Sequence, residues 1–283
     1  MPNWKSPSLL YGLLSPMTIS QALEMPGLLM RERRKLLRAV MGFTETDLFL
    51  RADREMSPEA EVRYRNGYRR RLRGEPLAYI IGEETFYHRP FYVSPAVLIP
   101  RPETELLIEL AKVLAPKRAL DLCTGSGIIA VTLQKELSCD ITASDVSPEA
   151  LIVARRNADR HRATVRLIQS DLFEALDDTF DLIITNPPYI DETVLPELEV
   201  AAHEPRLALD GGVGGLEVYR RLITQAPDFL MDDGNLLMEI GYDQGDLLSS
   251  MLQDRGFSSI EIYKDLAGFD RVIKAVYRRN YDR

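Results

Sequence analysis

Asn186-Pro187-Pro188-Tyr189 follows directly on the run Asp181-Leu182-Ile183-Ile184-Thr185. Proline donates no backbone hydrogen bond and fixes its own φ. The residue before a proline is pushed into extended backbone. Asn186 is therefore held at the end of a strand with few alternatives. Such stiffness suits one chemical problem. A planar –NH₂ group on a carbonyl or an aromatic ring has a delocalised lone pair and is a poor nucleophile. Accepting both of its hydrogens aims the nitrogen at an electrophile. The side-chain oxygen of Asn186 can accept one hydrogen and the Pro187 carbonyl the other, while Tyr189 packs on the flat face of the bound group. Each bond contributes only about 0.5–1.5 kcal/mol net. Orientation is the larger effect, at roughly 7–11 kcal/mol of effective molarity. A sulfonium methyl group is activated already and asks for no strong base.

The elements that position this segment alternate in type. Strands are predicted over 118–123, 140–145, 164–171, 180–186 and 234–241, and helices over 127–137, 147–161, 215–231 and 243–255. Two further strands, "SSIEIYKD" and "DRVIKAVY", follow. Alternation of this kind implies an α/β fold with a mostly parallel sheet covered on both faces. Ligands of such sheets bind at the carboxyl ends of the strands. "DLCTGSG" (121–127) ends the first strand there, and Gly125 and Gly127 let the backbone approach a ligand. It has neither the lysine of a phosphate-binding loop nor the full dinucleotide glycine pattern. Asp145, 18 residues past Gly127, can accept hydrogen bonds from both hydroxyls of a ribose. Its alternative role is to cap the next helix, which Ser147 can already do. Asp171 can face an adenine amino group, or be an ordinary turn aspartate.

The first part of the chain reads as helical. In "SPEAEVRYRNGYRRRLRG", Ser57 suits the N-cap, Pro58 the first helical position, and Gly74 the end. "RERRKLLRAVMGF" (31–43) is a second amphipathic helix. "TFYHRPFYVSPAVLIP" (85–100) predicts a linking hairpin. The domains expected are 1–84, helical; 85–100, the hairpin; and 101–283, the α/β part. Charge divides in the same way. The chain carries −8 overall, but residues 1–85 hold 14 Lys+Arg against 11 Asp+Glu and the remainder 21 against 32. The acidic larger part argues against a nucleic-acid partner. The basic helices are either solvated faces or a docking surface for an acidic protein. Two cysteines and three scattered histidines predict neither a disulfide framework nor a metal site. No apolar run approaches the roughly 20 residues needed to span a membrane. The opening "MPNWKSPSLLYGLL" lacks the pattern of a secretory signal, so the cytoplasm is the expected compartment.

Asn-Pro-Pro-Tyr after a strand, with a glycine-rich turn and an acidic strand end, resembles the S-adenosylmethionine-dependent amino methyltransferases. "RRLRGEPLAYIIGEETFY", "VLIPRPETELLIE", "LDLCTGSG", "NPPYI", "EPRLALDGG", "GLEVYRRLI", "LLMEIGYDQG" and "GFDRVIKA" together resemble the peptide chain release factor glutamine methyltransferase family. The "IPRPETE" stretch sets that family apart from the enzymes that methylate a ribosomal-protein glutamine. A DNA or RNA adenine N6-methyltransferase is the other alternative. The resemblance implies a Rossmann-like seven-stranded methyltransferase sheet, its last strand antiparallel, behind an N-terminal helical bundle. It implies a protein-(glutamine-N5) methyltransferase acting on the Gly-Gly-Gln loop of release factors as a monomer. S-adenosyl-L-methionine would be held by Asp121, Cys123, Thr124, Gly125, Ser126, Gly127, Asp145, Asp171, Leu172 and Asn186. Asn186, Pro187, Pro188 and Tyr189 would bind the glutamine amide, with Asn186, Pro187 and Tyr189 as the catalytic set. Arg101, Glu103, Thr104 and Glu105 match a stretch near the cofactor without individual roles. Four positions depart from the family pattern. Cys123 and His88 stand where glycine is usual, Leu172 where some members have tryptophan, and Gly214 where aspartate is usual.

On this reading, deleting residues 1–84 should raise KM for an intact release factor far more than for a short loop peptide. Equal effects on both substrates would make the helical part purely structural.

Overall fold

The computed structural model describes residues 16–279. The stretch 1–14, read above for a secretory signal, lies outside the described residues. The chain divides into two compact units between Ile81 and Gly82.

The first unit is helical: α1 (Ile19–Glu24), α2 (Met30–Met41), α3 (Glu45–Leu50), α4 (Pro58–Leu72) and α5 (Leu77–Ile81). Ser57 caps α4 by accepting the Ala60 N–H, and Pro58 takes the first helical position. Tyr64 and Tyr68 of α4 pack with Leu36 and Leu37 of α2 in one apolar cluster. The arginines of these helices are largely neutralised within the unit. Arg65 pairs with Glu61, Arg71 with Glu32 and Arg34 with Glu45.

The second unit opens with a hairpin of β1 (Glu83–Phe86) and β2 (Arg89–Tyr92). It is shorter and begins earlier than the predicted 85–100. The charged Glu83 and Glu84 pair with Tyr92 and Phe91 and so belong to it, whereas residues 93–100 leave the hairpin as an irregular run. A single 3-10 turn, Pro102–Thr104, then leads into α6 (Glu105–Leu114). The alternation follows as β3 (Arg118–Leu122), α7 (Ile128–Leu137), β4 (Asp140–Asp145), α8 (Pro148–His161), β5 (Val165–Gln169), β6 (Phe180–Thr185), α9 (Glu217–Phe229), β7 (Leu230–Glu239), α10 (Gly245–Asp254), β8 (Phe257–Lys264) and β9 (Asp270–Tyr277).

The seven strands run in the order β5-β4-β3-β6-β7-β9-β8. The first five are parallel, and β9 is antiparallel to both of its neighbours. Side chains alternate between the faces with period two. Leu182 and Ile184 of β6 join the cluster under α6 and α7, whereas Ile183 joins the cluster under α9 and α10. On β3, Leu120 and Leu122 take the second face, which leaves Asp121 on the first with Ala119. Two strands differ from expectation by more than one residue. β5 stops at Gln169, so Asp171 lies beyond the strand instead of ending it. β7 starts at Leu230, because Leu230 pairs with Phe180 before an irregularity at Asp181. The chain reverses direction across the sheet between β3 and β6, and ligands of open α/β sheets bind outside such a switch point.

Tyr87 and His88 form the two-residue hairpin loop, both with positive φ, +47° and +61°. A two-residue loop of this hand favours glycine. That is a backbone reason for the glycine usual at position 88. His88→Gly should therefore stabilise this unit by about 0.5–1 kcal/mol, the relief of left-handed strain less the added chain entropy. A urea midpoint that falls would show that the His88 ring, 5.9 Å from that of Tyr87, matters more than the backbone.

Candidate active site

A cavity of about 270 Å³ opens at the carboxyl ends of β3, β4 and β6. Its walls include Cys123, Thr124, Gly125, Ser126, Asp145, Asp171, Leu172, Asn186 and Pro188. The turn after β3 is shaped by positive φ at Cys123 (+58°), Gly125 (+54°) and Gly127 (+79°). Asp145 holds it from the side, accepting the Gly125 N–H at 2.8 Å on one oxygen and the Ser147 N–H at 2.9 Å on the other. Ser147 caps α8 through the Ala150 N–H, so Asp145 is not needed as the cap. Burial raises the Asp145 carboxyl above its ordinary range, against those backbone donors.

Two of the expected cofactor residues stand behind the wall. Asp121 is fully buried, accepting the Thr124 hydroxyl at 2.6 Å and the Ala130 N–H at 3.0 Å on one oxygen. It braces the turn against α7. Burial pushes its carboxyl up to about 7. Gly127 is needed for close packing: a Cβ there would lie 3.1 Å from Ala154 Cβ of α8. Cys123 does face the cavity, but burial and the nearby Asp145 raise its thiol well above the ordinary value. A neutral thiol is no nucleophile at physiological pH. Leu172, with φ +48°, supplies an apolar wall, and Asp171 is paired with Arg221 of α9 at 2.8 Å.

The Asn186 side chain sits at the centre of the strand ends. Its Nδ2 donates to Thr104 Oγ1 at 3.3 Å, and Thr104 Oγ1 donates to Glu239 Oε2 at 2.7 Å. No hydrogen bond among the described residues reaches Asn186 Oδ1. Pro187 is buried and Pro188 reaches the cavity. Tyr189 does not line it. Its hydroxyl lies 3.5 Å from Glu239 Oε1, and its carbonyl accepts Gln244 Nε2 at 3.1 Å. Burial and the Glu239 carboxylate push the Tyr189 phenol up to about 12, so it stays protonated. The structure thus brings Asn186, Pro188 and the glycine turn together and sets Tyr189 aside as an anchor.

Several supporting residues escaped sequence reasoning. The stretch 204–216 packs its backbone against this segment. Ile190 and Leu209 share a hydrogen bond, and a Cβ on Gly211 or Gly215 would strike Tyr189 backbone atoms at 2.8 and 2.1 Å. Glu204, almost fully buried, accepts Arg101 Nη2 at 2.5 Å and the Ile99 N–H at 3.0 Å, joining two walls of the cavity. Ser144 is 1% exposed on the wall, and its Oγ has no partner among the described residues. The sequence signals for these were Glu204 and Gly211 inside "EPRLALDGG" and Gly215 at the start of "GLEVYRRLI".

An orphaned hydroxyl, an acidic strand end and a strained glycine turn on one wall fit a polar, nucleoside-bearing cofactor. Leu172 adds an apolar side chain to the same wall. Among the described residues, no cluster of His, Cys, Asp and Glu is placed to hold a metal ion, and no helix is long and apolar enough to cross a membrane.

Comparison with known proteins shows what the chain is similar to. The family model "Methyltransferase small domain" matches residues 102–202, and "PrmC N-terminal domain" matches 29–82. A Geobacter sulfurreducens protein named release factor glutamine methyltransferase is 42% identical over 86% of this chain and 87% of its own length. A Neisseria gonorrhoeae protein of the same name is 41% identical over 93% of this chain and 99% of its own. A Pyrococcus furiosus methyltransferase structure is alike in fold, with a TM-score of 0.56 and 21% identity over 76% of this chain and 99% of that one.

Asp121 also makes a prediction about stability. Its carboxyl lies at about 7 in the fold against 3.8 ordinarily. Between those values the folded protein keeps a proton that the unfolded chain releases. The stability tied to that proton is complete below about pH 4 and lost as pH rises through about 7. Wild type should therefore lose up to about 1.4 kcal/mol per pH unit more than Asp121→Asn across that window. Parallel stability curves for the two proteins, measured by urea unfolding, would contradict this.

Proposed function

The chain belongs to the release factor glutamine methyltransferase family, and from that premise we propose how its cavity performs the reaction. The enzyme uses S-adenosyl-L-methionine to methylate the side-chain amide nitrogen, N5, of a glutamine in peptide chain release factors. The acceptor, on our reading, is the glutamine of the Gly-Gly-Gln loop.

One observation carries this reading. Asn186 lines the same cavity as the glycine turn, and no hydrogen bond among the described residues engages its side-chain oxygen. That oxygen would accept one N–H of the substrate amide. The Pro187 carbonyl, which no backbone donor among the described residues reaches, would accept the other. Pro188 would bound the amide plane, and Tyr189 would hold the segment in place from behind. Cys123 to Ser126, Asp145, Ser144, Asp171 and Leu172 would hold the cofactor, braced by Asp121 and Gly127. The cofactor supplies an electrophilic methyl group on a positively charged sulfur. The residues around it need only aim the nitrogen and exclude water, and the extra proton of the methylated nitrogen leaves to solvent. Aiming dominates, because each hydrogen bond is worth only about 0.5–1.5 kcal/mol net whereas orientation reaches roughly 7–11 kcal/mol.

We further infer that the enzyme acts in the cytoplasm, as a monomer, and without a nucleic-acid partner. The acidic character of residues 86–283 supports the last of these.

Labelled cofactor offered to a release factor, a ribosomal-protein glutamine substrate and duplex DNA should mark the release factor, at the loop glutamine by mass spectrometry. Label in DNA or in the ribosomal protein alone overturns the substrate assignment. Asn186→Ala should bind cofactor within about threefold of wild type while losing at least about 100-fold in kcat, the scale expected when a reacting group is misplaced. Near-normal turnover in that variant would remove Asn186 from the mechanism.

A further inference from the structure

We propose that Thr104 and Glu239 form a positioning pair that sets which way round the Asn186 carboxamide stands. The inference rests on the functional reading above, because it concerns the same amide.

The two ends of a carboxamide are nearly the same shape, so only their partners distinguish them. The substrate –NH₂ must meet the oxygen end of Asn186. Presenting the –NH₂ end would set donor against donor and remove the acceptor. A threonine hydroxyl carries one proton and can donate once. Thr104 gives that proton to Glu239 Oε2 at 2.7 Å. Its oxygen can then only accept, and the donor available at 3.3 Å is Asn186 Nδ2. Fixing the nitrogen end toward Thr104 leaves Oδ1 toward the cavity. The direction of the whole chain therefore begins at Glu239.

Glu239 is built for this role. It ends β7 with 1% exposure, and the Tyr219 hydroxyl donates to its backbone carbonyl at 2.6 Å. Thr104 faces its carboxyl from the 3-10 turn, Tyr189 from the segment after β6, and the guanidinium of Arg271 from β9. The Glu103 carboxylate opposes them. Burial pushes Glu239 up to about 7, with Thr104 and Arg271 pulling the other way. Once protonated, the carboxyl can donate to Thr104. The threonine hydroxyl is then released to donate to Asn186 Oδ1, which reverses the carboxamide. Ionised Glu239 thus corresponds to the productive orientation and neutral Glu239 to the unproductive one.

The test begins with a measurement that needs neither variant nor substrate. In wild type at about pH 8, one side-chain Nδ2 proton of Asn186, assigned by its loss in Asn186→Ala, should show a nuclear Overhauser contact to Thr104. Absence of that contact overturns the proposal. Kinetics give the second readout. Thr104→Val should lose at least about tenfold in kcat while its cofactor Kd, by calorimetry, stays within about threefold, and Thr104→Ser should recover most of the loss. Wild-type kcat should fall below about pH 7, and Glu239→Gln, which cannot gain a proton, should flatten that limb. Thr104→Val with wild-type kcat, or an acid limb unchanged in Glu239→Gln, also overturns it. If Thr104→Val does not fold, the serine variant, the pH profiles and the wild-type contact decide. Wild type that methylates no release-factor peptide but shows the contact defeats the functional reading and leaves the hydrogen-bond direction standing.

Discussion

A single constraint organises the second unit: Asn186 is held just past a central strand, its side-chain nitrogen donating to Thr104. β6 lies between β3 and β7, so its carboxyl end is enclosed on both sides. β3 brings the glycine turn to one side of Asn186. β7 brings Glu239 to the other, and the turn before α6 brings Thr104 between them. The prolines after Asn186 remove the backbone freedom that would let the amide drift. Gly211, Gly215 and Gln244 then clamp the Tyr189 backbone from the far side. Each of these would be an odd choice for a simple turn, and together they make a frame.

Two of the non-glycine residues with left-handed backbone lie at the same place. Cys123 and Leu172, both on the cavity wall, hold left-handed backbone without being glycine. Such conformations are disfavoured by about 1–2 kcal/mol for an ordinary residue. They persist where the surroundings over-determine them. At Cys123 the neighbours are Asp121 bracing one end of the turn and Asp145 holding its middle. The substitution of cysteine at a glycine position is thus tolerated by geometry already imposed, and the thiol contributes size without reactivity.

Much of this was legible in the residues. Strand β4 and strand β9 fell where alternation and β-branched residues put them, and Ser57 and Pro58 marked a helix start by local rules that tertiary context left alone. The glycine turn, Asp145 and Asn186 stood out because chemistry at a strand end demands unusual residue types. What could not be read was anything that depends on a partner distant in sequence. Glu239 looks like one more polar residue in a strand until Thr104, 135 positions earlier, lies against it. Glu204 is the same case, 105 positions from the Ile99 amide it accepts. The hairpin was misplaced for a different reason: Glu83 and Glu84 lack strand propensity and are recruited by pairing alone.

The antiparallel β9 has an effect on how the enzyme comes into being. It slots between β7 and β8, pairing Val272 with Glu239, while the Arg271 carbonyl accepts the Ile240 N–H. The dry surroundings of Glu239 do not exist until residues 270–277 have been synthesised and inserted. A nascent polypeptide still tethered to the ribosome through that stretch would hold every residue of the glycine turn and of the Asn-Pro-Pro-Tyr segment, yet lack a finished active site. Competence arrives with the closing strand, which the machinery whose factors this enzyme modifies must itself supply.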